Sequence, residues 1–172
     1  MFMVPAGISI DRGLLLFLCM KALQDYYPEN FAHCYGCGRL NEHGHQIKTF
    51  WDGDETITRY TPADYHIALP GYVYGGTLAS LIDCHGTGSA SLALARDQGI
   101  ELAEFNAPRC VTASLKVDYL KPTPIGPELE IRGIIREVKG KKVIVEARVF
   151  ANGVLTVKGE IIAIEVSEDF GR

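Results

Sequence analysis

The chain predicts an α+β domain in which a curved antiparallel sheet wraps around one long central helix, and three observations carry that expectation. Thr77 to Ala95 is a long stretch rich in Ala and Leu and free of proline, the best helix candidate in the chain. Four strand-like runs follow it: Val111–Leu120, Glu128–Val138, Lys142–Phe150 and Val154–Val166. Such a meander has one apolar face to bury, and a single nearly uncharged helix can cover it.

Taken in order, residues 12–26 predict an amphipathic helix that ends near Tyr27-Pro28. Its apolar run from Leu14 to Met20 is far short of the roughly 20 residues that span a bilayer, so no membrane partner is expected. A secretory leader is the rival reading, though no small-residue cleavage site clearly follows. Residues 33–44 are dense in glycine and turn formers and predict a loop. Gln46–Trp51 and Glu55–Thr61 then read as two strands joined at Asp52-Gly53-Asp54. The expected division is an N-terminal extension and helix over 1–30 and one domain over 31–172.

Gly86 and Gly88 each weaken the long helix by about 1 kcal/mol relative to alanine, a cost tolerated where something approaches closely. Val111–Leu120 alternates, with Val111, Ala113, Leu115, Val117 and Tyr119 on one face and Thr112, Ser114, Lys116 and Asp118 on the other. Lys121-Pro122-Thr123-Pro124 ends that strand. Lys139-Gly140-Lys141 and Asn152-Gly153 join the remaining strands as hairpins.

At 172 residues, 47% hydrophobic and 22% charged, the composition suits one globular domain. A formal net charge of −4 argues against nucleic acid, which calls for a concentrated basic surface. Five sparsely placed cysteines, an odd number, suit a reduced, cytoplasmic setting.

Between Thr77 and Ala95 the only formally charged side chain is Asp83, set among Leu81, Ile82 and Cys84. A buried carboxylate without partners is costly, so this one calls for a reason. Ser80 and Thr87 lie on its helical stripe, giving a polar line that could hold a water. Upstream, Tyr74-Gly75-Gly76 leads into the helix. The first amides of a helix have no intrahelical acceptor and sit at its positive end, and glycines let a ligand oxygen reach them. Such amides can polarise a carbonyl, while a carboxylate on the same helix or from a neighbouring subunit activates water. On the residues alone, a glycine turn that starts a helix and a core Asp that caps a backbone donor fit equally well.

The run His66-Ile67-Ala68-Leu69-Pro70-Gly71-Tyr72-Val73-Tyr74-Gly75-Gly76, followed by Asp83, resembles the hotdog-fold thioesterases of the phenylacetate-degradation (PaaI-like) group. Their signature is a His, a Pro-Gly, then His-Gly-Gly with an acid seven residues after the second glycine. Cys34-Tyr35-Gly36-Cys37-Gly38 with Asn41 and Gly44 is similar to the segment before their first strand. Val111-Thr112-Ala113 through Tyr119-Leu120-Lys121-Pro122 is similar to their strand after the long helix. The likeness runs over roughly residues 31–166.

The resemblance implies a hotdog fold and an acyl-CoA thioesterase, a homodimer or homotetramer with active sites between subunits and no cofactor. By position, Gly75 or Gly76 would polarise the thioester carbonyl, Asp83 would act as base or nucleophile, and Thr87 would help place water. His66 would line the site mouth, and Ser80 and Thr112 are further substrate-binding candidates. Tyr74 stands where the family usually has histidine; a phenol donates a hydrogen bond but does not share a proton near neutral pH. A non-catalytic acyl-CoA-binding protein is the alternative that this departure favours. A hydratase of the same fold would need an acid and a base working across a double bond, for which Asp83 and His85 are poorly spaced on one helix.

Arg109, Lys139, Lys141 and Lys142 are the cations that could meet the phosphates of coenzyme A, as could Lys121. A solvated turn is the plain reading of the three clustered lysines. Cys34-x-x-Cys37, flanked by His33, His43 and His45, has the composition of a zinc site, but its histidines are two apart, closer than the usual pairing. The expectation is a glycine-rich turn with reduced thiols and no metal. His85, two positions after Asp83, faces elsewhere and is expected to be packed.

Overall fold

A computed structural model of the chain describes residues 21–103, 106–167 and 170. Most of the helix expected over 12–26 lies outside them. At its end, Leu23–Tyr26 forms a single 3-10 turn. One long helix, α1 (Gly75–Asp97), lies against a six-stranded antiparallel sheet. In chain order the strands are β1 (Phe50–Asp52), β2 (Glu55–Tyr60), β3 (Arg109–Tyr119), β4 (Leu129–Lys139), β5 (Lys142–Ala151) and β6 (Val154–Val166). Their order in the sheet is β1-β2-β4-β5-β6-β3.

The central strands alternate as a half-buried sheet should: Val143, Val145, Ala147, Val149 and Ala151 of β5 all point into the core. They meet Leu81, Ile82 and Leu94 of α1, each fully enclosed. A Cβ on Gly86 would stand 2.5 Å from Ile161 of β6, so the missing side chain is what lets the sheet close on the helix. Asn152 and Gly153 have φ of 50° and 74°, the left-handed pair that a two-residue hairpin requires.

The opposite side of α1 is covered by the segment before β1. Leu23 and Tyr27 pack on Leu92, and the buried Gln24 side chain both donates to Thr49 Oγ1 and accepts from its amide. Residues ahead of residue 31 thus pack on α1.

Two strand expectations change. Of Gln46–Trp51, only Phe50 and Trp51 lie in a strand, β1; Gln46 takes a left-handed φ of 51°, and no regular strand passes through it. In β3 the alternation breaks at a bulge: Thr112 pairs with Ala163 and Ser114 with Ile162, leaving Ala113 as the extra residue. Before the bulge Cys110 and Thr112 face α1. After it Val117 packs on the core and Tyr119 reaches Gly75. β3 also forms the outer edge of the sheet, so Ala113 to Lys116 are exposed rather than half-buried.

Candidate functional site

The helix start is built as the sequence suggests. Tyr74 caps it with extended backbone, and the amides of Thr77 and Leu78 both bond to the Tyr74 carbonyl at 3.0 and 3.3 Å. The amides of Gly75 and Gly76, the first two residues of the helix, have no acceptor within it. Gly76 opens onto a cavity of about 410 Å³ lined by Tyr35, His45, Tyr65, His66, Tyr74 and Ser80, among others. Gly75 turns the other way, its carbonyl accepting the Tyr119 hydroxyl at 2.8 Å. The exposed Tyr74 ring lies over Gly76 so closely that a Cβ there would overlap it.

His45 and His66 in this cavity are tied through one phenol, Tyr60, whose oxygen lies 2.9 Å from His45 Nδ1 and 3.3 Å from His66 Nδ1. Burial, and then the neighbouring His66, hold the His45 imidazole below its ordinary range, and burial lowers His66 as well. Burial also pushes Tyr60 up to about 12. Both imidazoles are thus held neutral near pH 7. His45 is buried, with Nε2 unpaired. The sequence offers His45 only as a histidine flanking Cys34-x-x-Cys37; its burial beside Tyr60 and His66 is revealed by the fold alone.

Asp83 faces a second, smaller cavity of about 220 Å³, lined with Thr87, Arg109, Thr112, Cys34, Cys37 and Cys84 among others. Its carboxylate accepts a hydrogen bond from Thr112 on β3. Thr87 donates its hydroxyl back to the carbonyls of Asp83 and Cys84, at 3.1 and 3.2 Å, and retains its lone pairs toward the cavity. Arg109 stacks over Tyr27 and Phe31, 4.6 and 5.3 Å from the ring centroids, and is the cation that lines this cavity. The stripe on α1 is therefore divided: Ser80 serves the Gly76 cavity, and Asp83 and Thr87 serve the other. Lys139, Lys141 and Lys142 stand at the β4–β5 turn, where Lys142 pairs with Glu137 at 3.4 Å, and they line neither cavity.

The cysteine loop departs from its expected plainness. His33 and His43 are exposed and His45 points to Tyr60, so the histidines do not gather on Cys34 and Cys37. Cys84 of α1 joins them instead, its sulfur 3.6 Å from that of Cys34. Hydrogen bonds from the neighbouring thiols hold the Cys34 thiol well below its usual range; Cys34 and then burial push Cys37 up to about 12, and Cys34, Cys37 and burial push Cys84 well above its ordinary value. His85 is fully enclosed, as expected, among Thr56, Thr58 and Ser89.

Fold and site together define a helix-in-sheet domain that offers a glycine helix start and a helix-borne carboxylate. The thioesterase superfamily model matches residues 70–158, which include both. A thioesterase superfamily protein from Shewanella loihica PV-4 is 43% identical over 80% of this chain and 97% of its own, with a TM-score of 0.62. A hypothetical thioesterase from Streptococcus pneumoniae TIGR4, solved with coenzyme A, shares the fold at 15% identity and a TM-score of 0.56, over 70% of this chain and 86% of its own. So does a phenylacetic acid degradation-related protein from Ralstonia eutropha JMP134, at 16% identity and a TM-score of 0.57, over 70% and 85%. No curated protein matches. The chain belongs to the thioesterase superfamily and has its hotdog fold. Among the described residues, no helix is long and apolar enough to cross a membrane.

Proposed function

We propose that the protein hydrolyses acyl-CoA thioesters at a site assembled from two copies of the chain. The observation that carries this reading is the division of labour along α1: Gly76 and Asp83 open onto different cavities of one chain. A carbonyl held at one glycine start would be served by the carboxylate of another copy. The exposed β3 edge supports a partner, since an unpaired edge invites another strand. So do Leu69, Tyr72, Tyr119 and Leu120, all exposed beside the helix start.

The thioester oxygen would sit at the Gly76 amide. Asp83 would take a proton from water as that water attacks the carbonyl carbon, and the helix-end amides would stabilise the resulting oxyanion. Collapse breaks the C–S bond, leaving a carboxylic acid, and the proton from Asp83 passes to the departing CoA thiolate. Thr112 keeps the carboxylate aimed. Arg109, together with the lysine turn, would meet the phosphates of coenzyme A. Coenzyme A in the Streptococcus pneumoniae structure makes acyl-CoA the first class to test.

Release of free thiol from a panel of acyl-CoA esters tests the proposal, and turnover by the parent with loss in Asp83→Asn is the expected result. A second reading, binding without hydrolysis, is favoured by the Tyr74 ring lying over Gly76, where the carbonyl must enter. Saturable acyl-CoA binding with no thiol release would select it.

A further inference from the structure

We propose that Cys34, Cys37 and Cys84 bind one soft d10 cation, zinc(II) being the reference ion, as three thiolates with a fourth position open to the Asp83 cavity. The three sulfurs lie within 4.8 Å of one another, and those of Cys34 and Cys84 are 3.6 Å apart. A tetrahedral zinc with Zn–S bonds of about 2.3 Å sets its sulfurs about 3.8 Å apart, so small rotations of the side chains close the set.

The loop is shaped around these sulfurs. Gly38 N–H donates to the Cys34 carbonyl at 2.8 Å, folding Cys34-x-x-Cys37 into a tight turn. The amide of Ile47 donates to the Gly36 carbonyl at 3.1 Å, holding the middle of that turn against the segment before β1. Gly36 has no side chain because Cys84 Sγ occupies the place where one would begin. Left empty, the cluster offers its thiols only weak S–H donors and acceptors, poor use of a buried polar site.

The donor set chooses the ion. Thiolates favour zinc and copper(I) over magnesium, calcium or manganese. Each thiol that ligates gives its proton to solvent, and Arg109 on the cavity wall offsets part of the remaining negative charge. Three protein ligands beside a cavity leave room for a water or another small donor, the arrangement of an open rather than a closed zinc site. The ion would tie the loop before β1 to the helix one residue past Asp83. Its binding is independent of acyl-CoA hydrolysis, and each can fail alone.

The test uses the full chain, reduced and stripped of metal, titrated with Co²⁺ as spectroscopic probe and then with Zn²⁺. One equivalent per chain with a thiolate-to-cobalt charge-transfer band, displaced by zinc, is expected. Cys34→Ser, Cys37→Ser and Cys84→Ser should each weaken binding by at least about tenfold, what losing even an outer partner of a metal ligand costs. The double variant His33→Ala/His43→Ala and Cys110→Ser should bind as the parent does. A second measurement needs only the parent: zinc, but not magnesium, should protect the three cluster thiols from a thiol-reactive dye. A reduced parent that shows no charge-transfer band, unchanged affinity in Cys84→Ser, or thiols that zinc does not protect would overturn the proposal.

Discussion

The hydroxyl of Thr112 on β3 donates to the carboxylate of Asp83 on α1, and the bulge at Ala113 is what makes this contact possible. An unbroken strand would put Thr112 on the face opposite Val117 and Tyr119. One extra residue turns both halves of the strand toward the helix.

Asp83→Asn keeps size and hydrogen-bonding capacity while removing the base. Thiol release should fall on the order of 10²–10⁴-fold with acyl-CoA affinity and the unfolding midpoint unchanged. Turnover within a factor of about three of the parent would make Asp83 structural, since a base in play costs far more.

Thr112→Val is nearly isosteric and removes only the donor to Asp83. We expect kcat to fall about tenfold with little change in KM, and Thr112→Ser to restore it. An unchanged kcat in Thr112→Val, or a loss that Thr112→Ser does not restore, would assign Thr112 to packing alone.

Gly86→Ala puts a methyl group against Ile161, at a close approach of helix and sheet. Overpacking of this kind costs roughly 1–3 kcal/mol, readable as a lower urea midpoint. Ile161→Val in the same chain should recover part of it; equal stability of Gly86→Ala and parent would contradict the packing described.

His45, enclosed by Tyr35, Tyr60 and His66, has an imidazole that resists protonation in the native state. Below about pH 6.5 the unfolded chain takes up protons that the native cavity refuses, so stability should fall as pH drops and level off above that value. Urea midpoints between about pH 7.5 and pH 5.5 measure this. His45→Gln should reduce the slope without abolishing it, because burial holds His85 down to about 3 and lowers His66 as well; an identical slope would place its origin in those two.

If the site needs two copies, light scattering at micromolar concentration should return at least a dimer. Thiol release by a proven monomer would refute the shared site.

The long helix, the last three strands and two ends of the candidate site were legible in the sequence alone. The proline-free run gave α1 to within two residues at each end, and alternation with turn chemistry gave β4, β5 and β6 almost as observed. Gly76 and Asp83 were legible because glycines at a helix start and a lone acid in an apolar helix are local anomalies. Tertiary structure alone decided which residues meet across the chain. Cys84 lies fifty positions from Cys34, and Thr112 is twenty-nine from Asp83. Helical and strand periodicity act over a few residues, whereas these contacts depend on a bulge, on strand order and on the angle at which the helix crosses the sheet. The same distance hid the burial of His45 and the packing of Leu23, which depends on a helix that begins fifty-two residues later.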